Sequence, residues 1–77
     1  MEENKWPKTA TRVKALREEK KWSQKDLASF LGLKSDSSIT HIEKGRHLPK
    51  GRELVIMSKL FDVSTDYLLG LDDKKKH

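Results

Sequence analysis

The chain has no cysteine among its 77 residues, which removes disulfide staples and thiolate metal sites as ways of holding a small fold together. Apolar side chains are also scarce, 34% against 38% charged, so the core must be small and the surface wide and wet, as in a compact helical bundle. No apolar run exceeds a few residues, far short of the roughly 20 that span a bilayer and shorter than a signal-peptide core. A soluble, cytoplasmic chain without membrane association is expected. The three histidines are scattered with no His, Asp or Glu at metal-ligand spacing, and there is neither a nucleophile motif nor a glycine-rich phosphate loop. Neither an enzyme nor a bound cofactor is expected. The length accommodates one small domain with no second module for an effector.

What the sequence does have is basic charge, 17 Lys and Arg against 12 Asp and Glu. The excess is uneven. Residues 4–33 carry eight basic and three acidic side chains, residues 34–52 five and two, whereas residues 53–70 hold Lys59 against Glu53, Asp62 and Asp66. Such a balance allows a polyanionic partner for the first two-thirds of the chain, although a solvated surface with a chance bias explains charge alone equally well.

Apolar residues recur at helical spacing and never alternate, so the fold class is all-α with no sheet. Residues 1–8 read as a loose lead-in, with Trp6 able to fold back, and residues 72–77 as a flexible basic tail whose Lys74-Lys75-Lys76 run keeps the end solvated. Between them, five helices are expected over residues 9–71. Helix one runs from about Thr9 to Lys20 with Val13 and Leu16 inward and Arg12, Lys14, Arg17, Glu18 and Glu19 outward. Ser23 opens helix two in a capping box with Asp26, and Gly32 ends it where positive φ is needed. Helix three starts near Ser35 or Asp36, either able to cap it, buries Ile39 and Ile42, and stops before Gly45. Helix four covers about Arg52 to Phe61 with Leu54, Met57 and Phe61 inward, and Thr65 to Leu69 form a fifth, closed by Gly70.

Helices two and three carry the functional signal. Leu27 and Ala28, then Gly32, then Ile39 and Ile42 form the pattern of a helix-turn-helix. A small residue at Ala28 lets the helices cross closely, the glycine permits the sharp turn, and two branched residues plug the angle between them. The outer face of helix three is then short and polar, with Ser37, Ser38, Thr40, His41 and Lys44, and fits a major groove about 12 Å wide.

Trp22-Ser23-Gln24-Lys25-Asp26-Leu27-Ala28, Leu31-Gly32, Ile39, Ile42-Glu43-Lys44-Gly45-Arg46 and Pro49 together resemble the Cro/C1-type (Xre-family) helix-turn-helix domain, and Val63 to Gly70 looks like that family's closing helix in phage and prophage repressors. The resemblance covers about residues 10–71 and implies a five-helix, lambda-repressor-like domain, usually dimeric, that reads a double-stranded operator with its third helix. Carried over position by position, it implies base contacts from Asp36, Ser37, Thr40 and His41. Phosphate contacts fall to Gln24, which also braces the recognition helix, and to Lys25, Lys34, Ser38, Lys44, Arg46 and Arg12. Glu43 matches a glutamate that pairs internally. The chain departs from the pattern in three ways. Six residues separate Gly32 from Ile39 where five are usual. The groove face lacks Gln, Asn and Arg, the best bidentate readers of adenine and guanine. Lys50-Gly51 replaces the usual cap and apolar residue, which predicts a loose entry to helix four.

Phe30, Ile56 and Leu60 are apolar where the family has polar or small residues; with Leu71 they form a candidate dimer or partner surface, against the simpler reading of core packing. The expected function is therefore a transcriptional regulator, a repressor acting as a homodimer. The alternative is an interaction module, antirepressor-like or antitoxin-like, that binds a repressor or a toxin.

Overall fold

The computed structural model describes residues 3–76, and among them are five helices and no strand. They are α1 (Pro7–Glu19), α2 (Gln24–Phe30), α3 (Ser37–Glu43), α4 (Gly51–Phe61) and α5 (Thr65–Leu69). The all-α, five-helix expectation holds, with boundaries shifted by a residue or two. α1 packs across α3 and α5, α2 against α3, and α4 against α5. Val13, Leu27, Leu31, Ile39, Ile42, Met57 and Leu68 are fully enclosed at the centre, with Leu16, Phe61 and Val63 closing the ends. Each such side chain contributes about 1.5–3 kcal/mol on burial.

Local chemistry sets the helix ends. α1 begins two residues earlier than expected because Pro7 has the backbone angle of a first helical residue and lacks an N–H that would otherwise be unpaired there. The lead-in is not loose. The Lys5 and Trp6 N–H groups both donate to Gly45 O, at 2.9 and 3.1 Å. Gly45 has φ +75°, and the Asn4 side chain occupies the place a β-carbon would take. Met1 and Glu2 lie outside the described residues.

At α2 the capping box is complete: Ser23 Oγ accepts from the Asp26 N–H at 3.0 Å, and Asp26 Oδ2 accepts from the Ser23 N–H at 2.9 Å. Gly32, at φ +73°, turns the chain away from the helix. The Leu31 carbonyl at that end accepts from Arg52 Nη1 at 2.6 Å, which ties the start of α4 to the end of α2. The entry to α4 is closed, contrary to expectation. Glu53, only 4% exposed, accepts from the Lys50 N–H at 3.0 Å and supplies the carboxylate half of a capping box.

The tail also differs from expectation. Arg12 Nη1 donates to the carbonyls of Tyr67 (2.7 Å) and Asp72 (2.8 Å), its Nη2 meets Asp73 Oδ1 at 2.7 Å, and its guanidinium lies over the Tyr67 ring, 4.1 Å from the centroid. The Ser64 N–H donates to Lys75 O at 2.6 Å, and Lys76 pairs with Asp62. Residues 72–76 therefore lie back along α1 and α5; His77 is outside the described residues.

Candidate nucleic-acid interface

Ile39 and Ile42 face the core with no exposure. At 100° per residue this turns the opposite side of α3, carrying Ser37, His41 and Lys44 at i, i+4 and i+7, away from the bundle. Ser37 and Lys44 are exposed and His41 half-exposed. The extra residue between α2 and α3 is absorbed before the helix starts. The Leu33 N–H donates to Ala28 O at 2.9 Å and the Leu33 side chain packs on the core, leaving residues 34–36 to make the turn.

Of the two candidate caps only Ser35 reaches α3, its Oγ accepting weakly from the Ser37 N–H at 3.5 Å. Asp36 stands at the cap position, but with φ −90° and ψ 6° its backbone is not extended, and its carboxylate makes no bond to the helix. Ser35 Oγ also pairs with Ser37 Oγ at 2.9 Å.

A polar brace holds α3 against α1 and α2. Arg17 grips Glu43 with two parallel contacts, Nε to Oε2 at 2.7 Å and Nη2 to Oε1 at 3.0 Å, and its Nη1 donates to Trp22 O at 2.7 Å. Gln24 Nε2 donates to Glu43 Oε1 at 3.1 Å, and Gln24 Oε1 accepts from Thr40 Oγ1 at 3.0 Å. The expected internal pairing of Glu43 is present, as is the bracing by Gln24. Arg17, an outward residue by sequence pattern, is only 8% exposed. Two signals pointed to it: it follows Val13 by four residues on the inner face, and an internally paired glutamate needs a cation. The Glu43 hydrogen bond, followed by the charges of Glu43 and Glu18, raises the Arg17 pKa against the opposing effect of burial.

Lysines flank this face. Lys25, Lys34 and Lys44 are exposed, and Lys25 and Lys34 border a shallow depression with Ser35 and Asp36. Arg46 Nη1 lies 2.7 Å from His41 Nδ1. Arg12 belongs elsewhere: its donors are taken by the α5 end and the tail, so the expected phosphate contact is replaced by a structural clamp.

The apolar candidates divide. Ile56 and Leu60 are half-buried against the core, and Phe30, half-exposed, covers Trp22 with ring centroids 4.5 Å apart. Leu71 is 75% exposed, and the outward apolar residue of α4 is Val55, which sequence patterning missed.

Among the described residues no group of His, Asp or Glu is placed to hold a metal, and no helix is long and apolar enough to cross a membrane.

Two crossed short helices, one braced against the bundle and presenting a polar face, define a helix-turn-helix domain. A helix-turn-helix family model matches residues 13–68, and the chain belongs to this family, in its Cro/C1-type branch. It is 39% identical over 62 residues to the HTH-type transcriptional regulator YobD of Bacillus subtilis (strain 168), covering 80% of this chain and 54% of that protein. The regulator ImmR of the same strain is 34% identical over 65 residues, 84% of this chain and 50% of its own length. The chain thus spans about half the length of these relatives. A crystal structure of the P22 c2 repressor in complex with a synthetic operator superposes with a TM-score of 0.75 at 33% identity, covering 83% of this chain and 96% of that one.

Proposed function

We propose that the chain is a sequence-specific, double-stranded-DNA-binding transcriptional regulator that represses by occupying an operator, with α3 in the major groove. The observation that carries this reading is the braced outward face of α3: Ile39 and Ile42 are buried, Glu43 and Thr40 are tied to α1 and α2, and Ser37 and His41 lie on the side turned away from the bundle, towards base edges. The P22 c2 repressor, similar over most of this chain, was solved on a synthetic operator, which supports the same use of the fold here.

In this reading Asp36, half-buried and without a helix-capping bond, accepts from a cytosine N4 amino group. Lys25, Lys34, Lys44 and Ser38 hold phosphates and so set register, which by itself carries no sequence information. Gln24 contributes as well, since only one hydrogen of its Nε2 is needed for Glu43. The regulator works in the cytoplasm as a homodimer, with Leu71, Val55 and Phe30 among the exposed apolar residues available for pairing.

Selection of bound duplexes from a random pool tests the reading directly. One enriched site with two related half-sites is expected, bound with an affinity that falls steeply with salt. Equal binding of all sequences overturns it. Sedimentation of the wild type and of Leu71→Asp tests the pairing: a dimer that the substitution weakens is expected, and a wild-type monomer both free and on DNA refutes it.

A further inference from the structure

The contact between Arg46 and His41 bears on what α3 can read. Arg46 Nη1 and His41 Nδ1 are 2.7 Å apart. A guanidinium donates and never accepts, so Nδ1 must present its lone pair to Arg46. A neutral imidazole with a lone pair on Nδ1 carries its proton on Nε2, because the hydrogen bond made by one ring nitrogen sets the state of the other. The neighbouring backbone keeps the two residues in register, the Arg46 N–H donating to His41 O at 3.0 Å. The His47 ring, with its centroid 5.6 Å away and tilted by 42°, stands beside the His41 ring.

We infer that Arg46 is a specificity-determining positioning residue: by holding Nδ1 of His41 as an acceptor, it makes the outer face of α3 offer an Nε2–H donor. This rests on the proposed entry of α3 into the major groove. A fixed donor selects a base edge that accepts, guanine above all because its O6 and N7 both do, and rejects the cytosine N4 amino group. In the other tautomer the same histidine offers an acceptor and reverses that preference. His41 thus gains a definite reading on a face that lacks the Gln, Asn and Arg side chains best suited to bidentate contacts.

Two measurements test it. In the free protein, at about pH 8, where an ordinary imidazole is neutral, long-range nitrogen–proton NMR of the histidine rings should show His41 as one species protonated at Nε2. Arg46→Met should add the Nδ1-protonated species, and Arg46→Lys, which still donates, should suppress it again. A wild-type His41 protonated at Nδ1, or a tautomer ratio that Arg46→Met leaves unchanged, overturns the lock. DNA selection then compares wild type, His41→Ala and Arg46→Met. His41→Ala identifies the base pair that His41 reads; there the wild type should favour guanine over cytosine by roughly fivefold to tenfold, and Arg46→Met should erase that preference while keeping those at other positions. Weaker binding by Arg46→Met with every preference intact overturns the specificity role and leaves Arg46 as a phosphate contact. If the wild type itself selects no sequence, the operator reading fails and the specificity role with it, while the NMR result still decides the tautomer.

Discussion

Arg17 and Glu43, twenty-six residues apart, meet in a two-pronged ion pair that is nearly closed to solvent, with side-chain exposures of 10% and 4%. The pair fixes the C-terminal end of α3 to α1, and Gln24 extends the hold to α2. A helix of seven residues is too short to be stable alone. The orientation of the candidate reading face is therefore set by its supports.

Removing one partner of this pair strands the other in a poorly hydrated place. Glu43→Ala should cost about 3 kcal/mol, read as a lowered midpoint in urea or thermal unfolding. The double replacement Arg17→Met with Glu43→Leu should recover most of that loss in stability. A Glu43→Ala protein as stable as wild type would show that the brace is dispensable.

Gly45 occupies left-handed backbone and leaves room for the Asn4 side chain. Gly45→Ala should destabilise by about 1–2 kcal/mol, since a β-carbon disfavours that conformation and also displaces the lead-in. Amide exchange at Lys5 and Trp6, whose N–H groups end on Gly45 O, should quicken more than exchange in the core.

Phosphate contacts are counted by salt. With Lys25, Lys34 and Lys44 from each half of a dimer, the slope of log K against log salt is expected to be about −5. Lys34→Ala should make it shallower by about 2 per dimer while weakening all sites to the same degree. A slope unchanged by this substitution would remove Lys34 from the interface.

Asp73 lies below the usual carboxylate range, chiefly through its hydrogen bond from Arg12 and then through the charges of Lys8 and Arg12. A carboxyl with a lowered pKa in the fold adds stability above the ordinary aspartate range, and that contribution fades as pH falls through the lowered value. Acid should therefore release residues 72–76 before the core unfolds, visible as faster amide exchange at Leu71 and in the tail. The contact is exposed, so the effect should be small and weakened by salt. Asp73→Asn should show the same loosening at neutral pH and no further acid step.

Much of the fold was legible because its signals are local. Ser23 and Asp26 close a capping box across three residues, Gly32 takes the positive φ its place demands, and the i, i+3 spacing of Ile39 and Ile42 names the buried side of α3. The misplaced residues are those whose partners lie far along the chain. Arg12 reads as a free surface cation until Asp72 and Asp73 return beside it, some sixty residues later. Lys50 is the local exception: Glu53, only three residues on, supplies the carboxylate half of the cap, a signal the sequence held.

The sequence alone thus determined the number and order of the helices, the main apolar core positions of the first four, and the family, since periodicity, capping and turn chemistry act over a few residues. Only the tertiary structure decided which basic side chains remain available to a polyanion and which are held internally. Arg17 is bound to Glu43, Arg12 to the tail and Arg46 to His41, while Lys25, Lys34 and Lys44 stay in solvent. A guanidinium and a carboxylate attract each other whatever their separation in sequence, and only folding brings them within bonding distance.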